Sequence, residues 1–248
     1  EGGEINIENN TVSFYSSRIG TFTILQNNDV ISPLIDANVE GQEFTHGGYI
    51  SKNGIISFLL SDANGIDTFN NEVLLWINGE NVDPLDYTIS LSLGQLTHVP
   101  VKYQLSLEKG EYNLTLECTD VNGNYNFRDI PFKVSDEFNI INIGNYPNPV
   151  VSLTSNPDNA SRTRFTYVLT DDADDVCLRV YTVNGRLVKT FKNISSSIGY
   201  HEYPRTVLGW DCRDEKGFYL ANGVYFYRIT AKKGNKKIEK TMKMAILK

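Results

Sequence analysis

A chain of 248 residues has room for two domains of ordinary size, each with its own core. It is 40% hydrophobic and 21% charged, with 14 Tyr and 12 Phe against 2 Met, and Asn and Gly are plentiful; this favours short strands and tight turns over helices. The net charge of −7 divides into +7 from Arg228 to Lys248 and −14 before it, and so acidic a body argues against a nucleic-acid partner. Residues 1–30 read as the terminal strands of a preceding domain or as an extra hairpin. Ile5 and Ile7 alternate with polar residues, Asn9-Asn10 supplies a turn, Val12 and Phe14 follow, and residues 21–25 make a further strand. Two or three such strands bury too little to stand alone.

Residues 31–137 form the first complete unit, with strands expected near 34–39, 55–60, 73–77, 87–91, 99–104, 110–118 and 126–134. The clearest alternation sets Tyr112, Leu114, Leu116 and Cys118 inward against Asn113, Thr115 and Glu117 outward. Asn78-Gly79 and Asn122-Gly123 are turn dipeptides, because Asn and Gly tolerate the positive φ of tight hairpins. Short strands with regular turn signals indicate an immunoglobulin-like sandwich, here a spacer. Residues 136–142 read as a short linker running into Asn145-Tyr146-Pro147-Asn148-Pro149, whose prolines stiffen the chain.

Residues 138–248 hold a second sandwich, with strands near 164–169, 176–181, 186–191, 199–203, 206–210, 224–231 and 238–247 and hairpins at Asn184-Gly185 and Gly234-Asn235. In the last strand Ile238, Met242, Met244 and Ile246 share a face, so that strand must pair within the fold to bury them. Tyr225 and Tyr227 lie opposite Val224 and Phe226, and both faces read as covered, which suits a central strand. The fold class is therefore all-β, two tandem immunoglobulin-like β-sandwiches joined by a short Pro-containing linker.

Sites with chemistry are few. His46, His98 and His201 stand at no interpretable spacing from a carboxylate or nucleophile, and a His98–Cys118 base and nucleophile pair has no activating surroundings. We expect no enzyme in this segment. Three cysteines, Cys118, Cys177 and Cys212, form no metal motif; a Cys177–Cys212 disulfide is one candidate pairing, and Cys118 reads as a small core residue. Asp62, Asn64 and Asp67, and again Asp120 and Asn122, space oxygen ligands around a Gly as calcium loops do. They lack the terminal Glu of an EF-hand, and Asx side chains bonding their own backbone explain both loops without a cofactor. Trp210 reads as a core anchor, with Asp211 and Asp214 holding the turn after it. Four sequons, at Asn9, Asn113, Asn159 and Asn193, suit chance in an Asn-rich chain. The chain has no initiator Met, no signal peptide and no apolar run able to span a membrane, so it reads as the end of a longer polypeptide.

Taken together, Tyr146, Pro147, Asn148 and Pro149, residues 165–169, Val180-Tyr181, Gly185, Gly199-Tyr200, Trp210-Asp211, Arg213-Asp214, Gly217, the run from Ala221 through Asn222, Gly223 and Tyr225 to Tyr227, and the Lys-rich last strand resemble the FlgD-type immunoglobulin-like fold. That fold serves as the type A C-terminal sorting domain of type IX secretion substrates. Residues 31–135 resemble the sandwich that precedes such a domain in gingipain-type secreted peptidases. The resemblance implies a secreted or bacterial cell-surface protein whose partners are the type IX translocon and sortase, with Lys236, Lys237, Lys240, Lys243 and Lys248 as the basic tail. Cys212 departs from the pattern: the family carries Gly there, and a position that needs positive φ would strain a Cys. The rival reading is a structural or adhesive module that meets neighbouring extracellular subunits. Carbohydrate binding would need an exposed aromatic platform, and the sequence displays none.

Overall fold

Period-two burial organises the chain into sheets. A computed structural model describes residues 3–6, 9, 11–14, 29–69, 72–91, 96–151, 162–206 and 209–247; among these the regular elements are strands, and there is no helix. β1 (Gly3–Asn6) and β2 (Thr11–Phe14) pair as an antiparallel hairpin with Ile5 opposite Val12 in register. The strand expected over residues 21–25 lies outside the described residues.

The first sandwich consists of β3 (Leu34–Val39), β4 (Ile55–Ser61), β5 (Val73–Ile77), β6 (Glu80–Asn81), β7 (Tyr87–Ile89), β8 (His98–Gln104), β9 (Gly110–Thr119) and β10 (Tyr125–Val134). Its sheets are ordered β10-β9-β5-β6 and β3-β4-β8-β7. Leu114, Leu116 and Cys118 are fully buried in β9, as their alternation requires, while Tyr112 is half-buried and stacks on Phe132 with ring centroids 5.6 Å apart. At the turns, Asn78 and Gly79 have φ of 51° and 84°, and Gly123 has φ of 87°. These are the left-handed conformations that the dipeptides encode.

The second sandwich contains β11 (Ile140–Tyr146), β12 (Val150–Val151), β13 (Arg164–Leu169), β14 (Asp175–Thr182), β15 (Leu187–Phe191), β16 (Gly199–Tyr203), β17 (Gly223–Lys233) and β18 (Lys236–Leu247). A three-stranded sheet, β11-β13-β16, accompanies a five-stranded one, β12-β18-β17-β14-β15. Phe165, Tyr167, Leu169, Leu178, Val180, Trp210, Tyr227 and Ile229 form the centre of one core cluster with Met244 and Ile246. At about 25 cal/mol per Å² of apolar surface, each such side chain contributes on the order of 2 kcal/mol of burial. The protein is all-β, with tandem immunoglobulin-like sandwiches.

Four features differ from the sequence reading. Residues 140–142 of the expected linker open β11, whose Ile140 is buried and which pairs with β13; the prolines follow that strand. The strand expected over 206–210 is, among the described residues, a bridge between Trp210 and Thr163. Met242 shares the parity of Met244 and Ile246 yet is 44% exposed, because a three-stranded sheet cannot cover the whole of a five-stranded one and β18 lies towards its margin. Val224 and Phe226 are exposed, so one face of β17 is open rather than covered.

Contacts gather the chain into two compact units. One is Glu1–Ala37, Phe58–Lys102 and Thr115–Asp129; the other is Asn38–Ser57, Tyr103–Leu114 and Ile130–Lys248. The first buries Phe58, Leu60, Ile66, Leu75, Val99 and Leu116, and the second buries Ile50, Ile56, Leu105, Leu114 and Phe132 with the core cluster above.

Candidate functional site

The residues that carry the sorting resemblance are mostly the joints of the second sandwich. Trp210 is 5% exposed, lies 5.8 Å from Phe165 and 5.7 Å edge-on to Phe191 by ring centroid, and donates its indole N–H to the Arg213 carbonyl at 3.1 Å. Asp214 Oδ1 accepts the backbone N–H of Lys216 and of Phe218, both at 2.9 Å, and so closes the turn around Gly217, whose φ is 85°. Asp211 faces Arg213 instead, its Oδ2 3.0 Å from the guanidinium Nε, and that guanidinium stacks 4.1 Å from the Tyr219 ring. Cys212 between them has φ of 58°, so the position does take the left-handed conformation that favours Gly. Gly185 at φ 79° and Gly223 at φ 155° complete the backbone positions of the pattern, and the Asn222 position directly precedes β17.

The two tyrosines of β17 are inward. Tyr225 is buried and donates its hydroxyl to the Ala221 carbonyl at 3.0 Å; burial raises its pKa. Tyr227 lies against Phe165 at 4.9 Å, and burial pushes its hydroxyl up to about 12. Of the entry motif, Tyr146 is exposed, whereas Asn148 reaches the last strand: its Oδ1 accepts the Ala245 N–H at 3.0 Å and its Nδ2 donates to the Lys243 carbonyl at 3.3 Å. Beyond Pro149, β12 continues that edge in parallel, with Val150 opposite Ile246 and Val151 opposite Leu247.

β18 pairs with β17 from Lys236 opposite Lys233 to Ile246 opposite Gly223. Its other edge meets β12 at Ile246 and Leu247. Lys236, Lys237, Lys240 and Lys243 are all exposed, and Lys237 pairs with Glu239 at 2.8 Å. Lys248 lies outside the described residues. Lysines along such a margin keep other strands from adding to it and also offer a positive surface.

In the first unit, Asp62 and Asp120 come together with Asp29, their carboxylate oxygens within 4.8 Å of one another. Among the described residues, these are the side chains that could hold a divalent cation. The sequence reading missed Asp29, which stands far along the chain in a polar run with no ligand spacing. Asp62 Oδ1 accepts the N–H of Asn64 at 2.8 Å; Asp120 Oδ1 accepts those of Asn122 and Asn124, each at 2.8 Å. Asp67 is not in the cluster and accepts the Phe69 N–H at 3.0 Å. The Asx bonds thus account for both loops without an ion.

Cys118, Cys177 and Cys212 are buried thiols, so the candidate Cys177–Cys212 disulfide is not formed. Burial, then the charges of Asp120 and Asp62, pushes the Cys118 thiol up to about 12; a thiol so held is no activated nucleophile. His98 is exposed and bonds Thr97. His201 is buried, its Nε2–H donating to the Ser197 carbonyl at 2.5 Å, and burial lowers its pKa. An open cleft of about 220 Å³ in the second unit is lined by His46, Tyr49, Lys133, Asn142 and Tyr200 among others. One further feature went unread in the sequence: Tyr125 and Phe127 stand 51% and 53% exposed on β10 with ring centroids 6.2 Å apart.

The family model of the FlgD Ig-like domain matches residues 152–235, the stretch that holds β13 to β17. No curated protein matches the chain. Among solved structures it is similar to dimeric latent PorU from Porphyromonas gingivalis, with 20% identity over 88% of this chain and 20% of that one and a TM-score of 0.38. The chain thus spans about a fifth of the length of the PorU chain. Titin domains Z1Z2, solved in complex with telethonin, are 11% identical over 89% of this chain and 99% of theirs, with a TM-score of 0.29. The C-terminal domain of the Streptococcus agalactiae AgI/II polypeptide BspA is 8% identical over 86% and 99%, with a TM-score of 0.27.

Proposed function

We propose that this chain is a non-catalytic C-terminal segment of a large secreted or cell-surface bacterial protein, in which the first sandwich is a spacer and the second is a type IX sorting domain. The observation that carries the reading is the state of β18. The basic strand is a folded edge, paired throughout with β17 and pinned by Asn148, and Lys236, Lys237, Lys240 and Lys243 project from it into solvent. A translocon that reads such a strand reads a surface of fixed geometry, so recognition costs less conformational entropy than ordering a loose tail. The match of residues 152–235 to the FlgD Ig-like domain supports the same reading, since that is the fold the sorting family uses. The outer-membrane translocon and its sortase are the partners on this reading.

The test fuses residues 1–248 to a periplasmic reporter in a type IX-competent host. Export of the reporter to the surface or medium, lost in a host without the translocon, is the expected result. Periplasmic retention in the competent host sinks the proposal. A second reading, a structural or adhesive module, is favoured by the apolar surface left open at Tyr125, Phe127, Val224 and Phe226. Mass spectrometry of the native protein separates the two, because an adhesive subunit keeps Lys248 in its mature form.

A further inference from the structure

Two sheet faces of this chain are apolar, open to solvent and opposite in charge. The first belongs to the five-stranded sheet. Leu178 and Val180 of β14, Tyr225, Tyr227 and Ile229 of β17, and Met244 and Ile246 of β18 all point into the core. Parity therefore turns Tyr181, Val224, Phe226, Ala245 and Leu247 outward. The register sets them side by side: Leu187 opposite Tyr181, Tyr181 opposite Phe226, Val224 opposite Ala245, and Leu247 opposite Val151. The result is an apolar band that crosses five strands. Leu187, Val224, Phe226, Leu247 and Val151 along it are exposed. Cations border the band. Lys243 lies opposite Phe226, Arg179 opposite Arg228, and the Arg228 guanidinium sits 5.6 Å from the Tyr181 ring. Glu239 is the only acid among the outward positions of β17 and β18, and it is shared by Arg228 at 3.8 Å and Lys237 at 2.8 Å.

The second face belongs to the sheet that holds β5, β9 and β10. Val73 and Leu75, Leu116 and Cys118, and Ile130 point inward, which turns Leu74, Trp76, Thr115, Glu117, Tyr125, Phe127 and Asp129 outward. The contacts of Asp129 with the Thr115 hydroxyl and of the Tyr125 hydroxyl with Glu117 confirm that these side chains share a face. Tyr125 and Phe127 are exposed, and every charge at these positions is negative.

Exposed apolar side chains grouped on one sheet face mark an interaction site, and bordering charge selects the partner. We propose that the occupant is a second copy of this chain: the cation-bordered band of the second sandwich docks on the acid-bordered aromatic face of the first sandwich of a neighbour. Each copy carries both faces, so the contact is heterologous and propagates copy to copy. The charge division of +7 from Arg228 onwards and −14 before it has the sign this contact requires. The inference is independent of the sorting reading, because it concerns association of the purified chain rather than its export.

Sedimentation velocity on residues 1–248 across a concentration series, at low and at high salt, tests it. Reversible association that high salt weakens is expected, since the border charges are screened beyond about 10 Å at 0.1 M. Arg228→Glu with Lys243→Glu, and separately Glu117→Lys with Asp129→Lys, should each weaken association about tenfold or more. The arm that a merely damaged surface fails is the mixture. The two doubly reversed variants repel themselves but complement each other, so an equimolar mixture regains association. A chain that stays monomeric at every concentration in low salt, or an association that neither double variant alters, overturns the proposal. A mixture that fails to associate overturns it as well.

Discussion

Asn148 behaves as though it were one more residue of a sheet. Its side-chain amide accepts the Ala245 N–H at 3.0 Å and donates to the Lys243 carbonyl at 3.3 Å, so it fills the edge of β18 just before β12 begins. An edge strand leaves backbone groups unpaired, and an Asn amide has the donor and acceptor needed to pair one of each. The motif at the entry of the second sandwich and the strand at its end are therefore one structural device. Asn148→Ala should cost about 1–2 kcal/mol, the loss of two hydrogen bonds. Hydrogen exchange provides the sharper reading: the Ala245 amide should lose protection while Tyr227, in the next strand, keeps its own. Unchanged exchange at Ala245 would sink this account.

Cys212 sits at φ 58° and is only 2% exposed, so backbone strain and side-chain burial oppose one another at a single residue. Comparing Cys212→Gly with Cys212→Ala isolates the backbone contribution, since both remove the sulfur. In ordinary conformations Gly is less stable than Ala by about 0.5–1 kcal/mol through the entropy of the unfolded chain. A left-handed residue with a Cβ costs about 1–2 kcal/mol, which outweighs that entropy. The Gly variant should therefore exceed the Ala variant by about 0.5–1 kcal/mol in urea unfolding. An Ala variant that proves the more stable would show that the position tolerates a Cβ without strain.

Trp210 packs against two aromatic rings of the second core, Phe165 and Phe191, and ties its indole N–H to the Arg213 carbonyl. Trp210→Ala should cost about 3–5 kcal/mol, the range for emptying a large buried aromatic site. Trp210→Phe refills most of the volume but abandons the Arg213 carbonyl, so it should lose less, about 1–3 kcal/mol. Urea midpoints for the two variants check the order. If the sorting surface is a folded one, export of a fused reporter should fall in the same order, with Ala worse than Phe.

Much of this fold is legible in the sequence because it is written in local terms. Leu114, Leu116 and Cys118 alternate and are buried, and Asn78-Gly79, Asn122-Gly123 and Asn184-Gly185 mark turns with positive φ. Cys212 does take a positive φ, the condition under which the departure from the Gly of the resembled pattern brings strain. What escaped the sequence depends on how far a partner sheet extends. Parity places Met242 with Met244, but only the width of the β11-β13-β16 sheet decides that Met244 is covered and Met242 is not. Likewise Asp62 and Asp120 read as separate loops. Their meeting with Asp29 depends on long-range contacts, such as the bond from the Asn124 amide to the Asp29 carbonyl at 3.1 Å, that no spacing rule encodes.

His201 links the second core to pH. It is buried beside Tyr167 with ring centroids 5.0 Å apart, and its Nδ1 has no hydrogen-bond partner among the described residues. Burial lowers its pKa most; the Ser197 carbonyl and Glu43 oppose that shift, and Arg205 adds to it. A histidine held below its unfolded value of about 6.5 means that the unfolded chain binds the proton more readily. Its contribution to stability is therefore present in full above about pH 6.5 and lost as pH falls from there through the folded pKa. Urea unfolding between about pH 8 and pH 5 should show stability falling through this window. His201→Phe, which keeps an aromatic ring beside Tyr167 but cannot titrate, should flatten the fall. Glu43 and Arg205, which face this histidine, pair with each other at 2.8 Å. A fall of the same size in the His201→Phe variant would assign the pH dependence to other groups.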